Sequence, residues 1–139
     1  MLSLKPLLRT ALFCLPVVFL LSSCTEEEPE TPDTDVREKF LGAWTVSEEV
    51  AGASTGTYPA TVTLDSTNTS RIRIANIYNL GNGQSVLATV ASNSLDIATQ
   101  TVSGITIGGS GSFVASSFVL NYTANDGSQT ESVKATYSR

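Results

Sequence analysis

"FLGAWTVSEEV", residues 40–50, is the place where the chain changes its hydrophobic period. Just before it, Asp35-Val36-Arg37-Glu38 has the D-x-x-E form of a capping box, and Val36, Phe40 and Leu41 fall on one side at helical spacing. One or two helical turns are predicted there, ended by Gly42. From Ala43 the period is two: Trp44 and Val46 point to one face, Thr45 and Ser47 to the other. The helical period does not return.

Outward from this point the alternation repeats. "YPATVTLD" (58–65) sets Ala60, Val62 and Leu64 against Thr61 and Thr63. "SRIRIANIYN" (70–79) sets Ile72 and Ile74 against Arg71 and Arg73, then slips near Ala75-Asn76, where a bulge is expected. "QSVLATVA" (84–91) and "NSLDIATQTV" (93–102) meet at Ser92-Asn93-Ser94, a short turn. "GITIGGSGSFVASSFVLNYTANDG" (104–127) reads as about three short strands separated by glycine and serine pairs, with Asp126-Gly127 as a hairpin turn. "QTESVKATYSR" (129–139) closes with Val133, Ala135 and Tyr137 inward. Roughly eight or nine strands at a spacing of about 12 residues describe a sandwich or a barrel. No second helix is long enough for a parallel crossover, so the sheet is expected to be antiparallel.

The chain has 139 residues, enough for one domain. Its first 23 residues order themselves as a secretory signal: Lys5 and Arg9, an apolar run from Leu12 to Leu21, then Ser22 and Ser23. The run is about half of the roughly 20 residues a membrane-spanning helix needs. Leu21-Ser22-Ser23-Cys24 resembles a bacterial lipobox. The resemblance implies that Cys24 receives a diacylglycerol, becomes the first mature residue and holds the protein to a membrane through buried acyl chains. Cys14 leaves with the signal, so the mature domain has neither a free thiol nor a disulfide and depends on its core.

The formal net charge is −5; without Lys5 and Arg9 it becomes −7. Glu26, Glu27, Glu28, Glu30, Asp33 and Asp35 carry six of those charges, in a stretch with no apolar residue but proline. Such a segment is an extended, self-repelling linker. Thr25, Glu26, Glu27 and Glu28 also resemble the acidic export signal of surface lipoproteins in Bacteroidetes, although no Lys or Ser follows the cysteine directly. From residue 36 onward, seven acids face six bases, a poor balance for binding nucleic acid.

Gly42-Ala43-Trp44, after a short helix and opening the first strand, resembles the G-x-W of lipocalins and their calycin relatives. There the Trp plugs the closed end of an up-and-down barrel and a basic residue near the last strand stacks on it; Arg139 is the candidate for that part. The T-D-Y-type lipocalin segment is missing. Residues 20–139 are similar to the small lipocalin-like lipoproteins of Bacteroidetes, through the lipobox, the acidic linker, this G-x-W, the Tyr58-Pro59-Ala60-Thr61 strand and the Asn76–Gly81 segment. The resemblance implies an all-β, antiparallel up-and-down barrel of about eight strands behind a short N-terminal helix. It divides the chain into a signal peptide (1–23), a lipidated acidic linker (24–35) and a lipocalin-like β-barrel domain (36–139).

The chain contains no histidine and no usable cysteine, so the commonest general base and the commonest metal ligands are missing. Serines lack a nearby base, and Glu48 and Glu49, adjacent on a strand, point to opposite faces. No enzymatic activity, metal or cofactor is expected. Asp65, Asp96, Asp126 and Glu131 sit at strand ends or turns, where acids cap and solvate. Asp65-Ser66-Thr67 weakly resembles the D-[ST]-x acceptor for O-glycans, with Ser66 as the acceptor, and reads more simply as an ordinary polar turn between strands. The resemblances to a lipobox and to the surface export signal imply an outer-membrane lipoprotein anchored through Cys24 and exposed at the cell surface, or else on the periplasmic face. It is expected to act as an interaction or accessory protein toward an envelope protein or a glycan. The alternative is a lipocalin-like binder of a small hydrophobic ligand or glycan. Tyr58, Tyr78 and Tyr122 are candidate contacts on the loop side, or half-buried sheet aromatics.

Overall fold

The computed structural model describes residues 34–139. The signal peptide, Cys24, the run Thr25 to Glu28 and nearly all of the acidic linker lie outside the described residues.

Eight strands follow one another around a closed barrel, each paired antiparallel with its sequence neighbour. They are β1 (Gly42–Val50), β2 (Ala53–Leu64), β3 (Arg71–Ala75), β4 (Ser85–Ala91), β5 (Ser94–Val102), β6 (Ile105–Val114), β7 (Ser117–Asn125) and β8 (Thr130–Ser138). Pairing of β1 with β8, from Thr45 opposite Ser138 to Val50 opposite Val133, closes the ring and leaves no free edge. The architecture is therefore an up-and-down barrel and not a sandwich.

The alternation seen in the sequence becomes the inside and outside of the barrel. Trp44 and Val46, Ala60 and Val62, Ile72 and Ile74, Val86 and Ala88, Leu95 and Ile97, Leu120 and Tyr122, and Ala135 and Tyr137 are all buried, while their neighbours face water. Leu64 keeps the inward parity of its strand but stands at the rim, 46% exposed, because β2 ends there.

Four local expectations are corrected. The helix is a single 3-10 turn, Glu38–Phe40. Its capping box does not form: the Glu38 N–H donates to the backbone carbonyl of Asp35, whose carboxylate instead takes the Arg37 N–H and guanidinium. Val36 is left outside the core. At Ala75-Asn76 there is no bulge; β3 ends, Asn76 turns left-handed (φ 60) and a second 3-10 turn, Ile77–Asn79, begins. Residues 104–127 hold two strands, because β6 runs straight through Gly108-Gly109-Ser110-Gly111. Finally, Asp65 is buried rather than solvated, paired with Arg71 at 2.9 Å.

The glycines of β6 are strand residues for a steric reason. A Cβ on Gly109 would lie 2.3 Å from the Asn121 carbonyl oxygen and 2.5 Å from Tyr122 Cα; one on Gly111 would lie 2.3 Å from the Val119 oxygen. Strand β6 approaches β7 too closely for any side chain there, which is how glycine lets a small barrel coil tightly.

The two ends of the barrel differ. At one end the first 3-10 turn lies over Trp44, Phe113 and Phe118, and the chain terminus closes beside it. At the other end lie the β1–β2, β3–β4, β5–β6 and β7–β8 connections. The β3–β4 connection, residues 76–84, is the longest between strands, and its Ile77 is fully buried. This second end is the mouth.

Candidate functional site at the barrel mouth

The site is built on β1. Period two places Glu48 on the inner face with Trp44 and Val46, and the side chain is indeed buried, at 4% exposure. Its neighbour across β2 is Gly56, which has no side chain to fill the space (φ 110). A register shift follows at once, between Glu48 and Glu49, where Thr55 is the extra residue and its hydroxyl donates to the Glu48 carbonyl at 3.2 Å. A bulge of this kind re-aims the strand at a barrel rim.

Two tyrosines serve the buried carboxylate. Tyr58 and Tyr122 both donate to Glu48 Oε1, at 3.0 and 2.5 Å. Both are inside the barrel, so neither is the loop-side contact the sequence offered. Burial first, and the Glu48 charge second, push the Tyr58 hydroxyl far above its ordinary range. Burial does the same to Tyr122 and to Tyr137, the latter fully enclosed with its hydroxyl unpartnered among the described residues. These phenols therefore stay protonated and act as donors. Oε2 of Glu48 accepts no hydrogen bond among the described residues and is not sealed off, and Glu48 lines an open cleft.

Tyr78 lies over this centre. It belongs to the β3–β4 connection, where Asn76, Tyr78 and Asn79 all take left-handed backbone angles (φ 60, 54 and 53). Such a conformation costs on the order of 1–3 kcal/mol for a bulky residue and persists only when the surroundings hold it. The Asn76 amide supplies that hold, donating to Pro59 O at 2.6 Å and accepting from Gly81 N at 2.7 Å. Tyr78 donates to Glu131 of β8, and its ring meets Tyr122 edge-on at 6.5 Å. That hydrogen bond, and then burial, push the Tyr78 hydroxyl up to about 12. Gln129 donates to the other Glu131 oxygen at 2.8 Å.

The Tyr78–Glu131 pair divides the mouth. On one side a cleft of about 330 Å³ is bounded by Glu48, Val50, Thr55, Thr57, Tyr58 and Asn79. On the other, a smaller one of about 170 Å³ is bounded by Ile105, Ala124, Asp126 and Gln129. Below them the barrel is filled by Tyr137, Phe118, Val46 and the aliphatic residues of β2 to β5.

The other sequence candidates lie elsewhere. Gly42 (φ 105) and Trp44 are at the closed end; the Trp44 indole donates to Phe40 O at 2.8 Å. The Arg139 guanidinium is 3.8 Å from the Trp44 ring centroid and donates to Leu41 O at 2.7 Å and Lys39 O at 3.2 Å. Ser66 is exposed in the β2–β3 connection, beside the buried Asp65. Burial pushes the Asp65 carboxyl up, but bonds from Thr67 and the Arg71 charge more than offset it and hold the group below its usual range. The sequence reading missed Glu48 as an inner residue; the signal was its parity with Trp44 and Val46. An outer groove of about 510 Å³ also crosses β1, β8 and β7, over Glu49, Asn121, Thr123, Ser132 and Lys134.

No family model and no curated protein matches the chain. Among solved structures, it is similar to a redesigned beta barrel, with a TM-score of 0.50 and 13% identity over 76% of this chain and 95% of the other. It is also similar to EF1p2_mFAP2b bound to DFHBI, with a TM-score of 0.49 and 16% identity over 76% of this chain and 97% of the other. At 13% identity the likeness to the redesigned beta barrel is one of fold.

Proposed function

We propose that the protein is a lipid-anchored outer-membrane protein of the cell surface, similar to the lipocalin-like lipoproteins of Bacteroidetes, whose barrel serves as an interaction or accessory module of the envelope. The lipobox at Cys24 and the acidic run Thr25 to Glu28 support the location. One observation carries the choice of an interaction module over a carrier of apolar ligands: large side chains pack the barrel interior, and the two clefts at the mouth lie at its rim. A ligand pocket normally buries most of its ligand in a concave, largely apolar space of at least about 300 Å³. The larger of the two clefts at the mouth is open, and Glu48, Glu131, two threonines and an asparagine edge it beside Val50, Tyr58 and Tyr78. The outer groove over β1, β8 and β7 is a surface on which a protein or glycan partner fits.

Protease shaving of intact cells tests the location, with Cys24→Ala as the control. Surface display predicts that the wild-type protein is removed from whole cells while periplasmic markers survive, and that Cys24→Ala leaves the membrane fraction. Survival of a protein that the same protease digests once cells are lysed overturns surface display. Affinity capture of the anchored protein from detergent-solubilised envelopes tests the role; an envelope protein or glycan retained by the wild type and lost on substitution of Asn121 and Lys134 supports it.

A further inference from the structure

We propose that the mouth of the barrel is a binding site for a small organic ammonium ion, a primary or secondary amine in its protonated form, with Glu48 as its buried counter-charge. This goes beyond the envelope role above and does not depend on it.

The two clefts flanking Tyr78 are bounded by Glu48, Glu131 and Asp126, and among the described residues no lysine or arginine borders either one. An anionic ligand would meet uncompensated carboxylates there. A bare metal ion is also a poor fit, since no group of three metal-ligating side chains comes together among the described residues. A cation without such a ligand demand is what suits the site.

The second observation is the state of Glu48. It is buried beyond nine-tenths, and its two tyrosine bonds both fall on one oxygen. The other oxygen has no donor among the described residues, and Glu48 borders the larger cleft. That oxygen is not sealed off, and it stays free to accept from a donor that arrives through the cleft. The phenols cannot supply a second donor, because each has one O–H and both are spent on Oε1. An N–H of an ammonium ion supplies both the missing hydrogen bond and the opposite charge.

The third observation is the wall. Tyr58 and Tyr78 border the same cleft, and aromatic faces attract organic cations by about 0.5–1 kcal/mol when exposed and more when dry. Thr55, Thr57 and Asn79 edge it with neutral polar groups. The left-handed loop that fixes Tyr78 over the opening is the kind of backbone strain that collects at ligand clamps. A volume of about 330 Å³ accommodates an amine with a short carbon chain and not an acyl lipid.

The test uses the full chain purified in a non-ionic detergent and three probes of matched size at constant ionic strength: n-butylammonium, n-butanol and butyrate. Amide resonances are followed by two-dimensional NMR. Butylammonium is expected to move the signals of Thr55, Tyr78, Asn79 and Glu131 saturably; butanol and butyrate are expected to leave them in place. Glu48→Gln, which keeps an oxygen for the two tyrosines, is expected to weaken butylammonium binding by about tenfold or more. Failure of butylammonium to move these signals, an equal response to butanol, or undiminished binding in a folded Glu48→Gln protein each overturns the proposal. Should Glu48→Gln not fold, Glu131→Gln decides: weaker binding supports the site and unchanged binding overturns it.

Discussion

Arg139, the last residue of the chain, lies with its guanidinium 3.8 Å from the centroid of the Trp44 ring, and the same group donates to the carbonyls of Lys39 and Leu41. One side chain thus joins the end of β8 to the start of β1 and to the 3-10 turn. Replacing Arg139 with alanine removes a cation–π contact and charged hydrogen bonds, together about 1–2 kcal/mol. The chain has a single tryptophan, so urea unfolding followed by its emission reports on this place. The midpoint is expected to fall, and Arg139→Lys to recover part of the loss; an unchanged midpoint in Arg139→Ala shows that the contact contributes nothing.

The tyrosines of the interior set the behaviour at high pH. The chain has four, and all four are pushed above their ordinary value of 10. A phenol whose folded pKa is raised contributes stability that is fully present below pH 10 and is lost as the pH rises toward and through the folded value. Titration by absorbance near 295 nm should therefore show no phenolate near pH 10 and a steep, joint ionisation with unfolding near or above pH 12. Four independent ionisations near pH 10 in the folded protein count against the buried network.

Gly109 is expected to tolerate no side chain. An alanine Cβ there would meet the Asn121 carbonyl at 2.3 Å and the Tyr122 backbone at 2.5 Å, and backbone atoms in a closed ladder cannot step aside. Overpacking of a core costs about 1–3 kcal/mol when side chains can shift, and more when they cannot. Gly109→Ala should lower the thermal midpoint far more than Ser110→Ala, one residue on and facing water.

Gln100 holds a seam. The backbone pairs of β4 and β5 run only from Thr89 opposite Asp96 to Ala91 opposite Ser94. Further along β5, beyond the shift in its pairing with β6 between Ile97 and Gln100, the Gln100 side chain takes over, accepting from Leu87 N at 2.9 Å and donating to Leu87 O at 2.8 Å. Gln100→Ala is expected to cost about 1–2 kcal/mol and to speed amide exchange at Leu87; slow exchange retained at Leu87 would show that the ladder closes without it.

The β1–β2 turn is improvable. Ala51 and Gly52 both take positive φ (50 and 82), the requirement of a two-residue type I′ turn, and alanine is poorly suited to the first position. Ala51→Asn is expected to stabilise by about 0.5–1 kcal/mol, raising the melting temperature by a few degrees.

The parity of side chains made most of the barrel legible. Trp44, Val46, Ala60, Val62, Ile72 and Ile74 were placed inside by period two, because one face of each strand is dry. The rest was hidden for physical reasons. The first half of β2, Ala53 to Thr57, carries small polar residues and a glycine and lies outside the buried part of the barrel, so no hydrophobic pattern marks it. The β6 glycines look like loop residues because their reason lies in β7, distant in sequence. Of the site, Glu48 was readable by parity, but its tyrosines come from β2 and β7 and Tyr78 from a left-handed turn, and only closure of the ring brings them together.

Seven of the eight ladders join consecutive strands, and the eighth, β8 to β1, is no different in kind except that no loop spans it. The gap in the covalent chain is thus one of eight equivalent gaps in the ring. A circular permutant, rejoined from Arg139 to Thr34 by a short linker and reopened between Ser103 and Gly104, retains every ladder of the parent.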